Sequence, residues 1–530
     1  MISPNTNTKS SILIATISGC LFFLMCILVM RNGHLHEDAY ILFQYSRNFS
    51  QGLGISFDVV NGPAEGATDF LWMCLLGIFH RIFMGNIEIG VIAASLNSIG
   101  LAYITREVIN IRKSVDLNTI AICILLIVSG GAAAAIGGFS TAAFGAVYVA
   151  TILSFFRNKF NQGLVFSTLL ALFRPDGFFL GSATIIAYLF LELPELDAKQ
   201  TAKKLTIFYL IPLITYFFWR YTYFGLLLPL PLIVKQNTDF MFEGIRPNMK
   251  SLVGYSPVIT GILLYFRSYI EANTNKRFFI LAFSGSLTLF MLLIFAHQSQ
   301  NVGMRFQFPL HLSIILLASS IFPKTTKTSI LSSALIFISI VYFSRGFHAN
   351  INYLTNSDYI NSFPQILRQR LDINSIAVTE AGRFPYWYNA DSMVDLVGLN
   401  SKNVVTNGPI AELEEKNPDL IFIHHAGRFI YPDELIGTGD NFVIFDPNSI
   451  KLSEYNGSNP VKLAPAAALE NAINRSLTGI AVKYGKKNKY FSHVYFVPDS
   501  VNLKKFKTAV ADSFLTKTNY FASEKPNKNQ

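Results

Sequence analysis

The run Ser11-Ile-Leu-Ile-Ala-Thr-Ile-Ser-Gly-Cys-Leu-Phe-Phe-Leu-Met-Cys-Ile-Leu-Val-Met30 carries no charge, and Arg31-Asn-Gly-His-Leu-His-Glu-Asp-Ala-Tyr40 follows it directly. A helix rises about 1.5 Å per residue, so about 20 apolar residues cover a bilayer's hydrocarbon core. No small-residue cleavage site precedes the polar stretch, and the run reads as an anchor rather than a signal peptide.

The whole chain fits that reading. Of its residues 51% are hydrophobic, 47 are Phe and only 14% are charged, against about 25% in soluble domains. Such apolar content excludes a soluble monomer and intrinsic disorder. The net charge of +10 would suit nucleic acid if it were gathered on one face. From Gly346 onward, however, 19 basic residues nearly balance 18 acidic ones. The excess sits in the loops of the apolar part, as in a membrane protein, so a nucleic-acid partner is not expected. Cys20, Cys26, Cys74 and Cys123 all lie in apolar runs, which provides no disulfide framework.

Ten further apolar segments follow, at about 87–104, 118–136, 140–156, 161–173, 177–191, 205–219, 251–266, 278–296, 305–321 and 328–345. The expectation is an α-helical polytopic protein of about 11 transmembrane helices. Phe70 to Phe83 is short and interrupted by His80 and Arg81, and is expected to lie along the surface. Lys and Arg concentrate in alternate short loops, which places the N-terminus in the cytoplasm. Among the cations left on the outer side against that bias are Arg47, Arg174, Arg220, Lys235 and Arg305. Residues 1–345 then form the membrane domain, with 31–86 as its first outer loop, and 346–530 form an extracytoplasmic α/β domain. Strands are expected at Ser375–Thr379, Leu420–His424, Phe442–Phe445 and Val494–Val497, with helices at Ile410–Lys416 and Ala466–Asn474, the latter starting after Pro465. Abundant Asn, Lys and Ile hint at a bacterium, hence its cytoplasmic membrane.

Glu37 and Asp38 emerge just past the outer end of the first span, and Tyr40, Phe43, Tyr45 and Arg47 follow at helical spacing. Two readings are open. The pair marks a solvated boundary, with Asp38 capping the helix, or a carboxylate at the membrane surface acts as general base on a hydroxyl nucleophile.

The wider pattern bears on that choice. Glu37-Asp-Ala-Tyr-Ile41, Arg47-Asn48, Gly52-Leu-Gly54, Phe57, and Glu65-Gly66 followed by Thr68 and Leu71-Trp72 resemble the first loop of the GT-C membrane glycosyltransferases similar to the mycobacterial terminal arabinofuranosyltransferases. Phe173-Arg-Pro-Asp-Gly177, Trp219-Arg220, Tyr223-Phe-Gly225, Pro229, Lys235, Gly303-Met-Arg-Phe306 and Pro309 resemble later motifs of that group, as do Ile376–Gly382 and Val394–Leu399 in the α/β domain. Two positions depart from the pattern. Ala67 stands where the group usually has an aromatic residue, and Ser140 where it usually has an acid.

The resemblance implies transfer of a sugar from a polyprenyl-phosphate donor to a glycan, lipid or protein acceptor of the cell envelope, with inversion. It implies Asp38 as the base, with Glu37 orienting it or holding a divalent cation. No cofactor is certain, and if a metal is used these two acids would take it. Arg220, Arg305, Lys235 and Arg174 are the candidates for the donor phosphate. Tyr40, Arg47, Glu65, Thr68, Trp72, Asp176 and Glu380 are the candidates for substrate contact. Two rival readings stay open: a lipid-linked-saccharide flippase, for which the spans offer few ionisable residues, and a catalytically silent assembly protein, which the Ser140 departure keeps in play. His424-His425 reads as structural, and no phosphate-binding Gly loop appears.

Overall fold

The computed structural model describes residues 8–192, 197–235, 244–296, 298, 300–323, 326–356, 358–424, 435–450, 460–484, 490–516 and 520. All eleven expected spans fall on helices. Five are long and apolar enough to cross a bilayer unaided: Lys9–Asn32, Ile89–Arg112, Ile245–Ile270, Asn273–Phe295 and Ser329–Leu354. A sixth span results if Leu117–Val128 and Gly130–Ile136, bent by 52° at Ser129, are counted as one. Phe70–Ile82, Thr141–Phe156, Phe160–Phe173 and Phe308–Ile321 are shorter apolar helices. The helical spacing of Tyr40, Phe43, Tyr45 and Arg47 falls on a helix, Glu37–Ser50.

Polar anchors fix the end of the helices remote from the α/β domain. Arg112 is fully buried; it donates to both Asp116 carboxylate oxygens at 3.2 and 2.7 Å and to the carbonyls of Phe322 and Pro323. Asp116 also caps helix Leu117–Val128 in a reciprocal box with Thr119, satisfying N–H groups that a helix start leaves unpaired.

The last long helix, Thr326–Leu354, runs nine residues past Arg345 before the α/β domain begins. That domain holds one seven-stranded sheet: β1 (Ser375–Val378), β2 (Ser392–Asp395), β3 (Leu420–His424), β4 (Leu435–Thr438), β5 (Phe442–Phe445), β6 (Thr478–Tyr484) and β7 (Tyr490–Val497). Its order is β2-β1-β3-β7-β6-β5-β4, with β1 parallel to β2 and β3 and the other pairs antiparallel. Helix Pro460–Asn474 begins five residues before Pro465 and contains it, correcting the expected start.

Side chains alternate between two cores. Ile376, Val378, Phe422 and Tyr495 join the core that continues into the membrane helices, whereas Ala377, Ile421, Ile423 and Phe496 face a second core with Ala467 and Ala468. The first core includes Tyr40, Tyr386 and Trp387, so the sheet is seated on the first loop. Backbone bonds secure this junction. His34 N–H donates to Leu354 O at 2.8 Å, and Tyr520 N–H to both Met30 O and Gly33 O at 3.0 Å. The Tyr520 hydroxyl accepts from Gly90 N–H at 3.0 Å. Gly33 is required here, because a Cβ would lie 1.9 Å from Leu354 O.

Candidate active site

Five chain breaks meet on the side of the helices that carries the α/β domain: the start of helix Glu37–Ser50, Asp69 ahead of helix Phe70–Ile82, the turn 137–140, the turn 174–176 and the 3-10 turn Val302–Met304. His36 N–H donates to Gly137 O at 3.0 Å, fixing the first break to the third. Gly130 and Gly303 pack backbone to backbone, since a Cβ on Gly130 would sit 1.8 Å from Gly303 O. Gly303 also has φ +59°, a conformation that favours glycine.

These contacts bring a mixed cluster of charges together. Arg305 lies 3.8 Å from Asp38, with its guanidinium carbon 3.8 Å above the Phe139 ring and 5.2 Å from that of Phe306. Arg174 grips Asp176 through two hydrogen bonds of 2.9 and 2.8 Å and shares the Phe306 ring from 5.4 Å. Burial would lower the Arg174 pKa, but Asp176 and then Asp69 outweigh it and raise it. Ser140 Oγ donates to Asp69 at 2.6 Å. The position that departs from the resembled pattern therefore touches a carboxylate. Asp69 was not singled out from the sequence; an acid immediately before an apolar helix was its signal.

Glu37 and Asp38 part company. Asp38 keeps about a third of its side chain exposed (35%) and faces Arg305. Glu37 turns to the α/β domain, where it accepts from the Arg383 backbone N–H and lies 3.5 Å from the Arg383 guanidinium. Burial, and next the neighbouring Glu380, push the Glu37 carboxyl above its usual range against the pull of Arg383. Neither acid caps the helix: His36 holds that position, without a side-chain capping bond.

The other sequence candidates have different surroundings. Arg220 is bound to Glu65 in a buried pair at 2.5 Å and donates to Leu227 O, so two residues expected at the substrate pair with each other, while Glu65 Oε2 and Arg220 Nη2 make no hydrogen bond among the described residues. Tyr40 and Trp72 are fully buried. Tyr40 packs on Tyr386 and Trp387, and Trp72 stacks on Phe173 at 6.0 Å; both are packing residues of the core. Arg47 bridges to the α/β domain through Tyr386 O at 3.0 Å and Asn389 at 2.8 Å. Thr68 is half-buried in the loop before Asp69. Lys235 ends helix Leu230–Lys235, and its side chain lies outside the described residues. Glu380 pairs with His424 at 2.8 Å, at the sheet. Several motif residues fasten the loop: Asn48 donates to Ser56 O and Phe57 O, and the Tyr223 hydroxyl accepts from Ile55 N–H.

Comparison with known proteins agrees with this arrangement at the level of fold. A family profile described as a domain of unknown function (DUF8728) matches residues 351–466. Curated protein sequences give no match. Among solved structures, ArnT from Cupriavidus metallidurans in the apo state is similar with a TM-score of 0.56 at 9% identity, covering 78% of this chain and 92% of that one. The same protein bound to undecaprenyl phosphate is similar with a TM-score of 0.57 at 8% identity, covering 78% and 93%. The chain thus shares the overall fold of these ArnT structures, and its apolar helices make it an integral membrane protein.

Proposed function

We propose that this protein is a membrane glycosyltransferase that moves a sugar from a polyprenyl-phosphate carrier to a hydroxyl of an envelope glycan, lipid or protein. The observation that carries the reading is the opposition of Asp38 to Arg305, with Arg174 across the shared Phe306 ring. A partly exposed carboxylate beside partly buried cations is what transfer from a phosphate-linked sugar requires. The likeness to a structure bound to undecaprenyl phosphate supports a lipid phosphate as the carrier.

In this reading the acceptor oxygen attacks the anomeric carbon while its proton passes to Asp38. The bond from that carbon to the phosphate oxygen breaks on the opposite face, which inverts the centre. Arg305 and Arg174 stabilise the charge collecting on the departing phosphate; the Arg fork suits phosphate geometry, and aromatic rings keep water from the guanidinium faces. Glu37 holds the helix start in place from the α/β domain. The proposal keeps about eleven spans, a cytoplasmic N-terminus and the α/β domain outside. The test is transfer from radiolabelled polyprenyl-phosphate sugars by the purified protein. Wild type is expected to release polyprenyl phosphate with Asp38→Asn inactive; equal rates in both would overturn the assignment.

A further inference from the structure

Three neighbouring strands, β1, β3 and β7, deliver chemistry to one end of the sheet. His424 closes β3 and is the direct register partner of His493 on β7. Facing residues of an antiparallel pair project to the same side, about 4.5–5.5 Å apart at Cβ. Glu380 comes two residues after Val378, which ends β1. By alternation Glu380, His424 and His493 lie on the face of Val378, Phe422 and Tyr495, the face turned to the first loop. Glu380 lies 2.8 Å from His424 Nδ1, the two imidazoles meet edge to face at 4.8 Å, and one donor atom from each of the three residues falls within 4.8 Å of the others.

Their surroundings resemble those of metal-binding side chains. His493 is buried, and its Nδ1 is hydrogen-bonded to the Tyr359 hydroxyl at 2.6 Å, which in turn meets the Tyr495 hydroxyl at 2.9 Å. Metal-binding histidines are commonly oriented by such a bond on the other ring nitrogen. Glu380 and His424 keep 27% and 23% of their side chains exposed, which leaves a route in from solvent. Two imidazoles and a carboxylate suit zinc and its first-row neighbours, whereas calcium and magnesium favour all-oxygen sets.

We propose that Glu380, His424 and His493 form a binding site for one first-row divalent cation of the zinc type. The cation draws the ends of β1, β3 and β7 together behind the start of helix Glu37–Ser50. Gly382 packs so closely there that a Cβ would lie 2.3 Å from Glu37 O. Its role is to hold the sheet against the first loop, and it stands whether or not the protein transfers sugar.

The full-length protein in detergent, stripped with a chelator, is titrated with Zn2+ against a chromogenic competitor. One equivalent is expected to bind, with at least about 100-fold weaker binding in Glu380→Gln and in His424→Ala. Both variants should keep the wild-type gel-filtration profile without metal. Zinc-edge absorption of the wild type should show two imidazole ligands. Absence of stoichiometric binding, undiminished affinity in His424→Ala, or an edge spectrum without two imidazoles would overturn the site. If either variant misfolds, the wild-type edge spectrum decides alone.

Discussion

Asp38 and Glu37 are adjacent in sequence, yet the step of about 100° between neighbours on a helix gives them different partners: Arg305 for the first and Arg383 for the second. A general base contributes about 100- to 10,000-fold. Asp38→Asn is therefore expected to lower kcat by that range with little change in donor KM, measured by release of radiolabelled lipid phosphate. Arg305→Ala should lower kcat/KM by about 100-fold or more, with partial recovery in Arg305→Lys, because the lysine restores charge without the planar fork. The motifs around them singled out both Asp38 and Arg305 in the sequence, and the fold brings the two side chains to 3.8 Å of each other. Sequence reading gave Asp38 the role of base but had no means of finding the partner of Glu37, which lies 346 residues downstream.

At the scale of elements, the membrane helices were legible because hydropathy reports burial in lipid directly. The sheet was legible only in part. β2 and β4 have four residues each, and β6 reads Thr478-Gly-Ile-Ala-Val-Lys-Tyr484, with a Gly near its start; short strands give little period to detect. Arg220 and Glu65 show a second limit. Both were chosen as ligand-binding residues, but a bond across 155 residues makes them a buried structural pair. Removing one partner of such a pair costs about 3–5 kcal/mol. Glu65→Gln is expected to lower the thermal midpoint in detergent, and the double change Glu65→Leu with Arg220→Met to recover much of the loss. Gly130→Ala pushes a Cβ into the Gly303 carbonyl, where no rotamer relieves the clash. It should destabilise by about 1–3 kcal/mol and weaken transfer, because Arg305 follows on the displaced turn.

The whole molecule depends on the junction around His34. Burial lowers its pKa to about 3, so the fold holds the ring neutral while an unfolded chain would protonate it near pH 6.5. Its contribution is therefore complete above about pH 6.5 and lost as the pH falls, at about 1.4 kcal/mol per unit. The thermal midpoint should fall between pH 7.5 and 5, less steeply in His34→Gln. Tyr520 closes the same junction. Its hydroxyl holds Gly90, 430 residues earlier, while its N–H holds the end of the first helix. The consequence concerns timing during synthesis. While the chain is still being threaded into the bilayer, Gly33 and Gly90 await a partner the ribosome has not yet made. The first loop is among the earliest segments translated, yet the bonds that close its junction with Gly33 and Gly90 form only after translation has passed Tyr520.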